Sequence, residues 1–268
     1  MTTTLCLINQ KGGCGKSSTC FHLGGQLADD GERVLLIDAD PQGSLSQGFF
    51  GSERVEGLPA SETLTAVFRA TTPLDPMPLI VPTPFERLDI VRSNHTLATH
   101  NTPEPETLGL AQYAFASLIE RLPGYDWVLV DCPPNLYACS WNALVASDAV
   151  IIPTPPEDFG TQGLRAVHQA IESAAQLNPR IQRLGHLITR RDSRLLIHHA
   201  YEQKLRKLYD DVFDVVVPEA SAFKVALSCR KPVCNAQPHS KATHVMGLLA
   251  HEVRQRIGSG VSMERVAQ

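Results

Sequence analysis

Gln10-Lys11-Gly12-Gly13-Cys14-Gly15-Lys16-Ser17-Ser18 stands between a short apolar run, Thr4–Asn9, and a segment with helical periodicity from about Lys16 to Asp30. Strand, glycine-rich turn and helix in that order make a phosphate cradle. Glycines at 12, 13 and 15 let the backbone curl so that successive N–H groups converge on phosphate oxygens. The helix adds the partial positive charge of its N-terminus. In this setting Lys16 reaches the β- and γ-phosphates of a nucleotide and the Ser17 hydroxyl ligates Mg²⁺. Cys14 and Ser18 complete the loop. The stretch departs from the ordinary pattern at its first position, where Gln10 replaces glycine, and it carries a second lysine, Lys11, five residues before Lys16.

Outward from this loop the chain alternates strand and helix. Arg33–Asp38, Leu88–Val91, Asp126–Asp131, Ala149–Ile152, Leu184–Thr189 and Phe213–Val217 read as strands, with a further short one at Leu79–Val81. Helical patterns cover Ser61–Ala70, Leu108–Leu122, Ala138–Ala146, Gly160–Leu177, about Arg194 to Tyr209, and Ser240–Ile257. Residues 41–60, rich in Gly, Ser and Pro, read as a long loop. Strands written as continuous Val/Ile/Leu runs are buried on both faces. The expectation is a single α/β domain over residues 1–258, a mostly parallel twisted sheet with helices on both faces, followed by a flexible tail over 259–268.

Three motifs together, N-Q-K-G-G-x-G-K-S-S (9–18), L-L-I-D-A-D-P-Q-G-S (35–44) and V-L-V-D-C-P-P-N (128–135), resemble the deviant Walker A P-loop ATPases, and within them the ParA-type partition ATPases. The similarity runs from about residue 3 to 257 and is looser in the carboxyl third. It implies that Lys11 is the signature lysine, crossing to the ATP of a partner copy so that ATP drives a sandwich homodimer. It makes Asp40 the residue polarising the attacking water, with Asp38 tuning the Mg²⁺ shell from the same loop. Asp131, ending a hydrophobic strand, would hold Mg²⁺ through water. Pro218 would line the adenine, and Cys132–Asn135 would form the second switch. The implied cofactors are ATP and Mg²⁺. The implied cycle has an ATP dimer on non-specific DNA, a slow hydrolysis stimulated by a ParB-like or cargo-adaptor partner, and the segregation or positioning of a plasmid, a chromosome or a protein assembly.

The formal charge of −4 over 268 residues argues against a nucleic-acid partner until it is divided along the chain. Residues 1–179 carry 9 Lys+Arg against 20 Asp+Glu, a balance of −11, whereas residues 180–268 carry 15 against 8, a balance of +7. The basic clusters are Arg190, Arg191 and Arg194; Lys204, Arg206 and Lys207; and Lys224 with Arg230 and Lys231. With few aromatics among them, they suit phosphate contacts without base readout. One departure from the family stands at Ala222, where many relatives carry an arginine.

Other classes fit less well. Seven cysteines at scattered spacings, with no C-x-x-C, point to a reducing cytosol and away from a disulfide framework or a metal cluster. Cys14 and Cys132 read as small packing residues, and the ten histidines are dispersed. No apolar run approaches the length of about 18 that spans a bilayer, and no signal peptide is read at the start. A MinD-like membrane ATPase is disfavoured by a tail, Arg254–Gln268, with Gly258, Gly260 and no bulky aromatic. A small-molecule kinase or synthetase is disfavoured by Lys11 and the D-x-D loop. A start at the first strand leaves no place for an amino-terminal helix-turn-helix. The expected location is the cytoplasm, on the nucleoid.

Overall fold

The computed structural model of the protein describes residues 2–70, 72, 74–157 and 161–258, with only the backbone given for Glu106, Thr161 and Gln162. The tail expected over 259–268 lies outside the described residues, as does Gly160.

Seven strands, β1 (Thr3–Leu7), β2 (Val34–Asp38), β3 (Ile80–Pro82), β4 (Leu88–Val91), β5 (Trp127–Asp131), β6 (Ala149–Thr154) and β7 (Gln182–Ile188), form one sheet in the order β3-β4-β2-β5-β1-β6-β7. All pairings are parallel except β3 with β4. The helices are α1 (Lys16–Asp29), α2 (Ser44–Phe50), α3 (Ser52–Glu56), α4 (Thr65–Arg69), α5 (Ala114–Ile119), α6 (Ala138–Ala146), α7 (Thr161–Ala175), α8 (Leu196–Leu208), α9 (Ser221–Ser228), α10 (Val233–Ala236) and α11 (Lys241–Gly258).

The period-2 alternation of strand side chains divides the core in two. Cys6, Ile8, Leu35, Ile37, Val128 and Val130 face one way, onto Phe115 of α5, Leu144 of α6 and Val167 of α7. Leu5, Leu7, Val34, Leu36 and Leu129 face the other, onto Phe21 and Leu27 of α1 and Met246, Leu249 and Val253 of α11. Every one of these side chains is essentially solvent-free, and full burial of a leucine or valine contributes about 1.5–3 kcal/mol. The single α/β domain with a mostly parallel sheet is what the alternation predicts. β1 sits between β5 and β6 while β2 lies beyond β5, so successive crossovers diverge beside β1 and open a crevice at the carboxyl ends of the strands.

Local expectations differ in four places. Residues 41–60 are not a loop throughout. They contain α2 and α3, because Leu45 and Phe49, four apart, form a buried stripe, with the Phe49 ring 4.3 Å from that of Phe21. The helix expected over 61–70 is a 3₁₀ turn, Ala60–Glu62, followed by α4. The helix expected over 108–122 is a 3₁₀ stretch, Pro105–Tyr113, broken at Gly109, and then α5. The strand expected at 213–217 does not pair as a ladder. The segment follows β7 through bridges at His186–Val212 and Arg191–Pro218, while the N–H groups of Asp214 and Val215 donate to the Glu252 carboxylate instead.

Candidate functional site

The loop after β1 turns into α1 through Gly15, whose backbone (φ 94°, ψ 13°) lies in the left-handed region that a Cβ disfavours. Over it opens a cavity of about 390 Å³. Gly12, Gly13, Cys14, Gly15, Lys16, Ser17 and Ser18 all line it, as the sequence predicts, joined by Asp40 and Pro218. Val217, Pro218, Ala220, Phe223 and Leu227 give it an apolar wall suited to a flat base. Lys16 is buried, its Nζ donating to Asn9 O at 3.0 Å and to Lys11 O at 3.3 Å. Asn9 Nδ2 in turn donates to Pro153 O at 2.7 Å, which ties the loop to the end of β6.

Lys11 behaves differently. It does not line the cavity of its own chain, and its Nζ pairs with Glu157 Oε2 at 2.7 Å with both side chains substantially exposed. The lysine holds the Glu157 carboxyl below the usual carboxylate range.

Three carboxylates gather at the strand ends. Asp38 and Asp131 end β2 and β5 and are register partners across the sheet. Both are fully buried. Asp38 accepts from Asp40 N (3.2 Å), Ser46 N (2.8 Å) and Ser46 Oγ (2.7 Å). Burial pushes its carboxyl up to about 7 against those hydrogen bonds. Burial, and then the charge of Asp38, push Asp131 well above the carboxylate range, while the neighbouring Ser17 hydroxyl and Lys16 ammonium work against the rise. Both Asp131 oxygens are buried without a full hydrogen bond from the protein. Asp40 is also raised, first by burial, and its Oδ1 accepts from Gln42 N at 2.9 Å. Orphaned carboxylate oxygens beside the Ser17 hydroxyl are what a hard divalent cation neutralises, and Mg²⁺ needs only one or two carboxylates because it keeps its waters. The residues fit Mg²⁺, which Ser17 and Asp131 would hold with Asp38 behind them.

The raised Asp38 value has a sign that can be tested. The folded chain keeps a proton that the unfolded chain releases near the ordinary 3.8. Stability contributed at this site therefore falls as pH rises from about 4 to 7 and is flat above. Asp38→Asn cannot ionise. In Mg²⁺-free buffer it is expected to gain about 2 kcal/mol on the parent between pH 5.5 and pH 8, at about 1.4 kcal/mol per unit. Urea titrations at the two pH values check this, and a pH-independent difference contradicts it.

Cys14 and Cys132 are buried, and burial raises both thiols, so they are protonated packing residues. The basic residues expected to touch DNA stand in different surroundings. Arg190 and Lys224 line the nucleotide cavity, both paired with Glu219. Arg191 and Arg206 share Glu202, and Arg194 pairs with Asp192. Lys204 and Lys207 are exposed on α8, three residues apart and so on one face. Arg230, against Gly51, and Lys231 are exposed after α9. Sequence reasoning missed Glu157, Thr189, Glu219 and Ser46. Of these, Ser46 lies two residues past a motif, Thr189 precedes Arg190 and Glu219 follows Pro218, whereas Glu157 adjoins none of the residues singled out.

Residues 2–183 match the AAA domain family designated AAA_31. Over 257 residues the chain is 35% identical to the chromosome-partitioning ATPase Soj of Thermus thermophilus, covering 94% of this chain and 96% of that one. It is 34% identical to the chromosome partitioning protein ParA of Caulobacter vibrioides, covering 94% of each. Among solved structures, cobyrinic acid a,c-diamide synthase from Mycobacterium smegmatis with bound ADP and magnesium superimposes with a TM-score of 0.79 at 26% identity, covering 97% of both chains. A phosphate loop with its second lysine, buried aspartates on adjoining strand ends and near-complete alignment with Soj and ParA place this chain in the ParA/Soj family of P-loop ATPases.

Proposed function

We propose that the protein is a Mg²⁺-dependent ATPase that closes into a homodimer on ATP, binds DNA non-specifically in that state, and segregates or positions a cargo. A ParB-like or cargo-adaptor protein stimulates its hydrolysis. The observation that carries the reading is the position of Lys11. This lysine of the phosphate loop does not line its own cavity, and its Nζ meets an exposed carboxylate, that of Glu157, which supports a role toward a nucleotide in another copy. Full-length similarity to Soj and ParA supports the same conclusion.

Bound Mg²⁺ would neutralise charge on the phosphates during transfer. Lys16 binds the β- and γ-phosphates, Asp40 orients the attacking water, and Pro218 and Phe223 cover the base. DNA phosphates are met by Lys204, Lys207, Arg230 and Lys231, exposed side chains with no ion pair to a described residue. Such contacts predict affinity that falls steeply with salt. No helix among the described residues is long and apolar enough to cross a membrane. The protein works in the cytoplasm, on the nucleoid.

Asp40→Ala is expected to bind ATP, arrest hydrolysis at least about 100-fold, and accumulate as a dimer that retains DNA. Light scattering with ATP and a mobility-shift assay with ATP or ADP read this out. A monomer in ATP, or equal DNA binding in the two nucleotides, refutes the proposal.

A further inference from the structure

Arg190 is one of the basic residues that sequence assigns to DNA, and in the structure its guanidinium is engaged at the phosphate loop. Its guanidinium NH1 donates to Gly13 O at 2.8 Å across 177 residues of chain, and its Nε donates to Glu219 Oε2 at 3.1 Å. The preceding residue does the same to the next loop carbonyl, Thr189 Oγ1 donating to Cys14 O at 2.7 Å. Two consecutive side chains at the end of β7 thus hold two consecutive carbonyls of the phosphate loop. A peptide plane has its N–H opposite its C=O. Holding the Gly13 and Cys14 carbonyls therefore also fixes the orientation of the N–H groups of Cys14 and Gly15, the donors that a phosphate loop offers.

The clasp is itself anchored. Arg190 sits at φ 55°, a costly conformation for a side chain of this size, and such strain persists where the surroundings impose it. Here they do: Arg191 N donates to Val217 O, Glu219 N donates to Arg191 O, and Glu219 also takes Lys224 Nζ at 2.6 Å. Glu219 is held below the usual carboxylate range by Lys224 first and Arg190 as well, so it stays charged.

We infer that Arg190 is a positioning residue of the ATP site, pre-organising the phosphate loop from outside it together with Thr189, and that Glu219 aims its guanidinium. The role depends on the forked guanidinium. Only arginine can donate to Gly13 O and Glu219 at once in a fixed plane, and lysine is a single point donor.

The inference rests on the ATPase reading and is tested by equilibrium titration of a fluorescent ATP and a fluorescent ADP, with Lys16→Ala run in parallel. Arg190→Ala and Arg190→Lys are both expected to weaken ATP and ADP to a similar extent, on the order of tenfold, and Thr189→Val to do likewise. The nucleotide-free melting temperature should stay that of the parent. DNA binding by Arg190→Ala at saturating ATP should match the parent. Full affinity in Arg190→Lys would mean that charge alone matters and overturns the clasp. So does unchanged nucleotide affinity in Arg190→Ala, with or without a loss of DNA binding. Tight ATP binding by Lys16→Ala, by contrast, removes the ATPase reading itself.

Discussion

Lys16→Ala is expected to lower ATP affinity by a factor on the order of 10²–10³ and to leave no measurable turnover. Two losses combine. The first is the charge-assisted hydrogen bond to the phosphates, in a site where Lys16 is only 6% exposed and water does not replace it. The second is electrostatic. Lys16 is a cation whose field lowers the carboxyls of Asp131 and Asp40. Without it Asp131 and Asp40 take up protons more readily, which would weaken a hold on Mg²⁺. Lys16→Arg keeps the charge but not the fit between Asn9 O and Lys11 O, so it should recover part of the affinity and little activity. Calorimetry with ATP and Mg²⁺ measures the first effect, and affinity within threefold of the parent would contradict it.

Gly185→Ala should unfold more of the molecule than any change at the ATP site. Gly185 lies in β7 at φ 124°, beside the irregularity in its pairing with β6. A Cβ there would stand 1.5 Å from Asp211 O. That oxygen also accepts from His186 N at 3.1 Å and from Arg256 NH1 at 3.3 Å. The flanking segment would have to leave β7, breaking bonds at His186, Ile188 and Arg191 together. A penalty of about 4 kcal/mol or more follows, with a fall in Tm of about 8–16 °C. Gly247→Ala is the control: nothing lies within 4 Å of its Cβ position, and α11 should be stabilised by about 0.5–1 kcal/mol. Thermal melts of the pair settle the comparison, and equal melting temperatures would count against the close approach.

What was legible in the sequence was local. The phosphate loop, Asp38 with Asp40, and Asp131 each sit within one strand-turn unit, where backbone geometry and residue type leave few choices. β2, β5 and β6 were legible because burial on both faces writes a nearly unbroken apolar run. Contacts between distant residues were not legible. Lys11 meets Glu157 across 146 residues and Arg190 meets Gly13 across 177. No spacing rule reports such pairs. A net charge of +7 likewise reports no pairing: Asp192, Glu202 and Glu219, already subtracted in it, engage five of the nine cations assigned to DNA. The helices α2 and α3 escaped because glycine and serine mask a stripe as short as Leu45 and Phe49.

The segment that crowds Gly185 has a bearing on how copies of this chain can assemble. Open sheets invite growth by strand addition wherever a margin of unpaired N–H and C=O groups is left bare. Here one margin is β7, whose outer groups at His186, Ile188 and Arg191 are already bonded by residues 211–219. The other is β3, three residues long and ending in Pro82, which has no N–H to offer. Among the described residues, neither side of the sheet offers a long run of unpaired backbone groups. If copies of this chain assemble, side-chain faces, which nucleotide and salt can loosen, are the expected contacts rather than a continuous backbone ladder, which they cannot loosen.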